Sequence, residues 1–265
     1  MGSWVKPTTS LADATGTTTA GASADDGDPV TIEIKGGVEL PARRENIELH
    51  TSDGLTLVGE LSLPADREPV ATIVALHPLP TAGGFMDSHI IRKAAARLPA
   101  LADLAVLRFN FRGVQSPRGT SEGEFGDGVD EQYDLAAAMD LVAKRSLPHP
   151  WLLGWSFGTE VVLRWGLQHP VEGVILLSPP LHRATAEDVA AWAGSGRKIV
   201  AVIPEFDDYL RPAEARERFA SVPELDLVAV EGGKHLWVGE TQTYRVLTEI
   251  VQRLNPAALP LPTSW

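Results

Sequence analysis

The sequence predicts an α/β fold: a mostly parallel β-sheet with helices on both faces and an antiparallel hairpin at its N-terminal edge. Three observations lead there. Short, nearly continuous apolar runs recur at 70–76, 104–109, 151–155, 174–177, 199–203 and 225–230, as in strands covered on both faces. Between them, apolar residues recur at spacings of three and four, for example Leu135, Met139 and Val142, and later Leu247, Ile250, Val251 and Leu254; this is the period of amphipathic helices. The regular alternation of the two patterns implies right-handed crossovers, and it places a ligand site beyond the carboxyl ends of the strands.

The hairpin comes first. Asn46 to His50 and Leu55 to Leu63 flank the polar turn Thr51-Ser52-Asp53-Gly54, which reads as two antiparallel strands. With 265 residues, 44% of them hydrophobic, the chain is long enough for one sizeable domain, expected over 30–255. Residues 1–29 are rich in Thr, Ala, Gly, Ser and Asp; so few large apolar side chains predict a disordered low-complexity tail. The prolines of 256–265 predict a short C-terminal extension. No internal repeat is found.

Charge narrows the function classes. A formal net charge of −12, with Lys and Arg scattered among acidic residues, attracts neither a nucleic-acid backbone nor an anionic membrane face. Without cysteine there is no disulfide, thiol nucleophile or thiolate metal site. Met1 to Val30 lacks the basic-then-apolar pattern of a secretory signal, Lys6 stands where myristoylation prefers Ser or Thr, and no stretch approaches membrane-spanning length, so a cytoplasmic protein is expected.

The chemistry centres on Gly154-Trp155-Ser156-Phe157-Gly158. Residues 151–155 read as a strand, and 157–169 as a helix that must end before Pro170. A serine on so sharp a turn is lifted above the sheet. Glycines two before and two after allow the close chain approach, and the first amides of the helix face an oxygen beside the hydroxyl. The N–H of Phe157 is therefore one expected oxyanion donor. A second is expected from the loop after the first long apolar run, His77-Pro78-Leu79-Pro80; the prolines have no N–H, so Leu79 is chosen. His77, at a strand end, is read as orienting this loop.

A serine nucleophile needs an imidazole base and a carboxylate that fixes its tautomer. The elbow predicts the chain order Ser, acid, His. His235 follows the final strand in Glu231-Gly232-Gly233-Lys234-His235, a loop able to fold back towards Ser156, and is the base by position; His169 and His182 are less well placed. For the acid, the loop Pro204-Glu205-Phe206-Asp207-Asp208-Tyr209 offers Glu205, Asp207 and Asp208.

These residues resemble the α/β-hydrolase superfamily, and within it small lidless bacterial serine hydrolases. Two motifs carry the likeness: His77 to Pro80 with Gly83-Gly84-Phe85-Met86-Asp87, and Arg108-Phe109-Asn110-Phe111-Arg112-Gly113. With the elbow and Gly233-Lys234-His235, it spans about residues 45 to 254. The resemblance implies an α/β-hydrolase sheet and makes Asp208 the preferred acid, with Asp207 next and Glu205 third. Two stretches depart from the pattern: 114–119 replaces a short Gly-x-Ser turn, and Pro204-Glu205-Phe206 replaces a Gly-containing approach to the acid. By the same analogy the Asn-x-Arg-Gly turn is mainly structural, so Arg112 and Arg118 are read as scaffold rather than anion clamps.

The span 179–198, with one short helical stretch, leaves no room for a cap domain, so the pocket should be shallow and open. Phe85, Tyr209, Leu236 and Trp237 are expected with Phe157 at its mouth. The expected activity is hydrolysis of a small carboxylic ester by Ser156, His235 and Asp208, with no metal or organic cofactor. Thioesterase or other acyl-transfer activity would use the same machinery, and a non-catalytic binding protein could keep the same fold.

Overall fold

The computed structural model describes residues 31–265; the tail expected over 1–29 lies outside them. Strands β1 (Ala42–His50) and β2 (Thr56–Pro64) form the expected hairpin, with Ala42 opposite Pro64 and His50 opposite Thr56. The elements that follow are β3 (Ala71–Leu76), α1 (His89–Ala102) and β4 (Leu104–Phe109), then a small ribbon of β5 (Gln115–Ser116) and β6 (Gly119–Thr120). Next come α2 (Glu131–Lys144), β7 (Pro150–Trp155), α3 (Phe157–Trp165), β8 (Gly173–Leu177), α4 (Ala186–Ala190), β9 (Lys198–Pro204), α5 (Pro212–Arg218), β10 (Asp226–Val230) and α6 (Glu240–Leu254).

Eight of these strands form one sheet in the order β1-β2-β4-β3-β7-β8-β9-β10, parallel from β4 onwards. The order reverses at β3, which has β4 on one side and β7 on the other. Loops leaving the ends of β3 and β7 therefore diverge to opposite faces and open a crevice between them, the usual place for a ligand in such sheets.

Alternate residues of each central strand serve opposite cores. Ile73, Val106, Leu153 and Ile175 pack with Ile90, Ala94, Leu98, Val246 and Ile250 of α1 and α6. Val74, Leu107, Leu152 and Leu176 face the other way, onto Leu135, Met139, Val161, Val162 and Ala215 of α2, α3 and α5. Burial on both faces is why these strands read as unbroken apolar runs.

Residues 256–265 do not stand apart from the domain. Leu261 is buried, its carbonyl accepts the Tyr244 hydroxyl at 2.6 Å, and Ser264 bridges to Glu33 in antiparallel fashion. Among the described residues, no helix is long and apolar enough to cross a membrane.

Two buried arginines tie the hairpin to the rest. Arg112 donates through Nε and Nη2 to Asp134 Oδ1 of α2, at 2.9 and 2.8 Å, and through Nη1 to Asp53 of the hairpin turn at 2.9 Å. Arg108 on β4 donates to Glu60 on β2 at 2.6 Å and also bonds Asp87, and Arg118 closes the group by bonding both of those carboxylates. Breaking a buried pair leaves an uncompensated charge. Arg112→Met should therefore destabilise the fold by about 3–5 kcal/mol, read as a lower urea midpoint at pH 7; an unchanged midpoint would show that Asp134 needs no partner.

Candidate active site

Ser156 sits between β7 and α3 with φ +51° and ψ −116°, a backbone region that costs a non-glycine residue roughly 1–3 kcal/mol. The flanking glycines permit the turn by their lack of bulk. A β-carbon at 158 would overlap the Leu76 carbonyl at the end of β3, and one at 154 would lie 2.7 Å from the backbone of Gly158. The turn is further held by Ser156 N–H donating to the Leu177 carbonyl at 2.9 Å.

His235 comes from the loop after β10. Its Nε2 lies 3.0 Å from Ser156 Oγ. Its Nδ1 lies 3.0 Å from Asp207 Oδ2 and 3.2 Å from Oδ1. A carboxylate at Nδ1 requires the proton there, which leaves Nε2 as the acceptor facing the serine. Asp207 is buried, and burial alone would raise its pKa; the bond from His235 and the N–H groups of Tyr209 and Leu210 outweigh that and hold it below the ordinary range. It is an anion in place beneath the imidazole.

The carboxylate that the structure brings to His235 is thus Asp207 and not Asp208, the residue preferred from the sequence. Asp208 is exposed and lines a neighbouring cavity with Lys234, Val238 and Gln242. The turn that closes Tyr209 and Leu210 N–H onto Asp207 Oδ1 aims residue 207 inward and its neighbour out. Glu205 accepts Gly232 N–H at 2.8 Å and fastens the two loops together.

A cavity of about 170 Å³ opens above Ser156. It is lined by Pro78, Leu79, Ala82, Phe157, Pro180, His182, Arg183, Tyr209, His235 and Leu236. Tyr209 and Leu236, both exposed, stand at its rim as expected, with the Tyr209 ring 4.6 Å from that of His235. Two expectations fail. Trp237 is fully buried, because its positive φ turns it inward beneath the loop. Phe85 is half-buried and lines a separate cavity with Gly83, Gly84 and Phe125, because the chain turns at Pro80–Ala82 and again at Gly83, whose φ is +82°, before it reaches Phe85.

Leu79 and Phe157 both line the Ser156 cavity, and the N–H group of neither finds an acceptor among the described residues. The Leu79 loop is rigid: its carbonyl accepts Ala82 and Gly84 N–H at 3.0 and 2.9 Å. His77 supports it from below, with Nδ1 2.7 Å from the Pro78 carbonyl and Nε2 accepting Phe111 N–H at 3.0 Å. Met86 N–H donates to Asn110 Oδ1 at 2.9 Å, and Arg108 bonds Asp87. The two motifs noted in the sequence are therefore two halves of one hydrogen-bonded unit.

Several supporting residues were missed by sequence reasoning. The His235 carbonyl accepts Trp155 Nε1–H at 3.2 Å and the Ser178 hydroxyl at 3.4 Å, and His89 Nε2 lies 2.5 Å from the Leu236 carbonyl. Glu160, fully buried on α3, accepts the N–H groups of His182, Arg183 and Ala184. Only Glu160 carried a usable signal, a carboxylate in the first turn after the elbow helix begins. Among the described residues no cluster of His, Asp and Glu has a spacing fit for a metal ion.

No known family's sequence model matches the chain. An uncharacterized protein of Rickettsia prowazekii is 33% identical over 119 residues, which is 43% of this chain; the match spans about half of that relative's length, 46%. Among solved structures, an α/β serine hydrolase without a lid from Xanthomonas campestris is 25% identical, with a TM-score of 0.66 over 84% of this chain and 99% of its own. A serine hydrolase homologue from Coxiella burnetii is 24% identical, with a TM-score of 0.68 over 79% and 97%. A Pyrococcus furiosus esterase is 18% identical, with a TM-score of 0.65 over 80% and 93%. The fold is that of an α/β hydrolase without a lid.

Burial holds the His77 pKa down, from 6.5 to about 4, against the raising effect of its bond to Pro78. Folding then favours the neutral ring, a stabilisation complete above pH 6.5 and lost as pH falls towards 4. It amounts to up to about 3 kcal/mol. Urea unfolding at pH 7 and pH 4.5 should show a smaller acid loss for His77→Gln than for wild type; equal losses would place the titrating group elsewhere.

Proposed function

We propose that this protein is a serine hydrolase that cleaves carboxylic esters of small acyl substrates through an acyl-enzyme. The hydrogen-bonded chain from Ser156 Oγ through His235 to buried Asp207 carries this reading. Ser156 attacks the ester carbonyl while His235 Nε2 takes the hydroxyl proton, and Asp207 holds the imidazole and stabilises its charge. The N–H groups of Phe157 and Leu79 receive the developing oxyanion, at the positive end of α3. His235 then protonates the leaving alcohol, and water repeats the sequence to free the acid. The esterases and serine hydrolases of the same fold support this choice of reaction.

A fluorophosphonate probe should label wild type and leave Ser156→Ala unlabelled, and ester hydrolysis should fall by roughly a thousandfold or more in that variant. A wild type that is folded yet unlabelled and inactive would sink the proposal. The two aspartates give a sharper comparison: Asp207→Asn should lower kcat on the order of a thousandfold, since it leaves the wrong tautomer at His235, whereas Asp208→Asn should stay within about threefold of wild type, as surface changes usually do. The reverse ranking would return the acid's role to Asp208.

A further inference from the structure

Hydrolysis as described leaves one charged side chain of the Ser156 cavity unused. Arg183 lines that cavity and no carboxylate does. In a chain with 35 acidic and 23 basic residues, this lining reverses the overall charge balance, and a confined cationic lining draws anions.

The guanidinium is held in place yet only partly used. Glu160 accepts three successive amides, from His182, Arg183 and Ala184, at 2.7, 3.0 and 2.5 Å. Because Glu160 belongs to α3, the segment bearing Arg183 is fixed to the same helix that positions Ser156. The guanidinium lies over the rings of Phe157 and Phe125, 5.3 and 5.9 Å from their centroids, and Nε–H donates to Asp127 at 2.6 Å. Neither Nη group has an acceptor among the described residues. The Asp127 side chain is 69% exposed, so it orients the guanidinium more than it neutralises it. The free Nη edge is one that a carboxylate can occupy with two parallel hydrogen bonds.

We propose that Arg183 binds a carboxylate carried by the substrate, so that the substrate class is short esters with a carboxylate a few bonds from the scissile carbonyl. This rests on the ester-hydrolase reading. A cavity of about 170 Å³ has room for roughly five or six water-sized groups, which suits a short half-ester. In the reaction, Ser156 Oγ bonds to the acyl carbon as the ester C–O bond breaks, and the hydroxyl proton passes through His235 to the leaving alcohol. Water then adds to the acyl carbon, gives one proton through His235 back to Ser156, and releases the acid. The carboxylate on Arg183 is unchanged throughout.

Paired substrates test this. Monoethyl succinate against neutral ethyl levulinate places the charge on the acyl side, and acetoxyacetate against acetoxyacetamide places it on the alcohol side. Wild type should prefer the anion in at least one pair by kcat/KM in a pH-stat assay. Arg183→Gln should lower that preference on the order of tenfold, mainly through KM, and Arg183→Lys should restore part of it, since an ammonium keeps the charge but not the fork. Arg145→Gln, which removes an arginine from an exposed ion pair with Glu45, should leave the ratio alone. A ratio indifferent to Arg183→Gln in both pairs overturns the proposal. If wild type is neither labelled nor active, the ester-hydrolase reading has failed, and calorimetry with Ser156→Ala decides the carboxylate site separately. Binding of either anion that is lost on adding Arg183→Gln supports the site; equal binding by both proteins, or none by either, overturns it.

Discussion

The closeness of α3 to the end of β3 is the constraint on which the rest of this molecule depends. Gly158 lies so near the Leu76 carbonyl that no β-carbon fits between them, and that approach fixes where the helix starts and how Ser156 is presented. The positive φ of Ser156 is a local strain of the kind that persists only when the surroundings over-determine it. They do so here: β7 is buried between β3 and β8, α3 is packed against the sheet, and the Leu177 carbonyl takes the Ser156 N–H. The same approach brings the Leu79 loop beside the first turn of α3, so one packing contact sets both the Ser156 turn and the loop that lines its cavity.

His235 and Asp207 are brought together by different means. They ride on loops leaving two adjacent parallel strands, β9 and β10, which pair in register from Val200 and Asp226 to Pro204 and Val230. The loops are tied to each other through Glu205 and Gly232 and to the elbow strand through Trp155. His89 and Ser178 grip the His235 loop from two further elements. An open site has no lid to order its side chains. Here the ordering comes from loop carbonyls held by side-chain donors of neighbouring elements.

Beneath the opposite side of the site, the His77 loop and the Arg108 to Gly113 turn interlock through His77 and Phe111, Met86 and Asn110, and Asp87 and Arg108. Two further arginines are consumed in this framework: Arg112 and Arg118 each face two carboxylates. Arg183 differs because its one carboxylate partner among the described residues is exposed and engages only Nε. What separates a scaffold arginine from a binding one is how many of its donors the fold has already satisfied.

The sequence by itself determined the strands, the sharp turn at Ser156 and the pairing of Ser156 with His235 that the structure brings within hydrogen-bond distance, since these depend on local period, on glycine spacing and on chain order. It also indicated the hairpin and the absence of a cap, which follow from turn residues and segment length. Tertiary structure decided what turns on side-chain direction in irregular loops. Asp207 and Asp208 are adjacent and chemically alike, and only the closure of Tyr209 and Leu210 amides onto residue 207 selects between them. Trp237 read as rim because it follows Leu236, yet its positive φ buries it; Phe85 read as rim because it follows the glycines, yet the intervening turn diverts it to another cavity. Arg183 carried no pattern at all, and Glu160 only its place in the first turn of the helix after Ser156, because their roles arise from hydrogen bonds between segments about twenty residues apart. Periodicity records which face of an element is buried, whereas loop geometry is fixed only when those elements have packed.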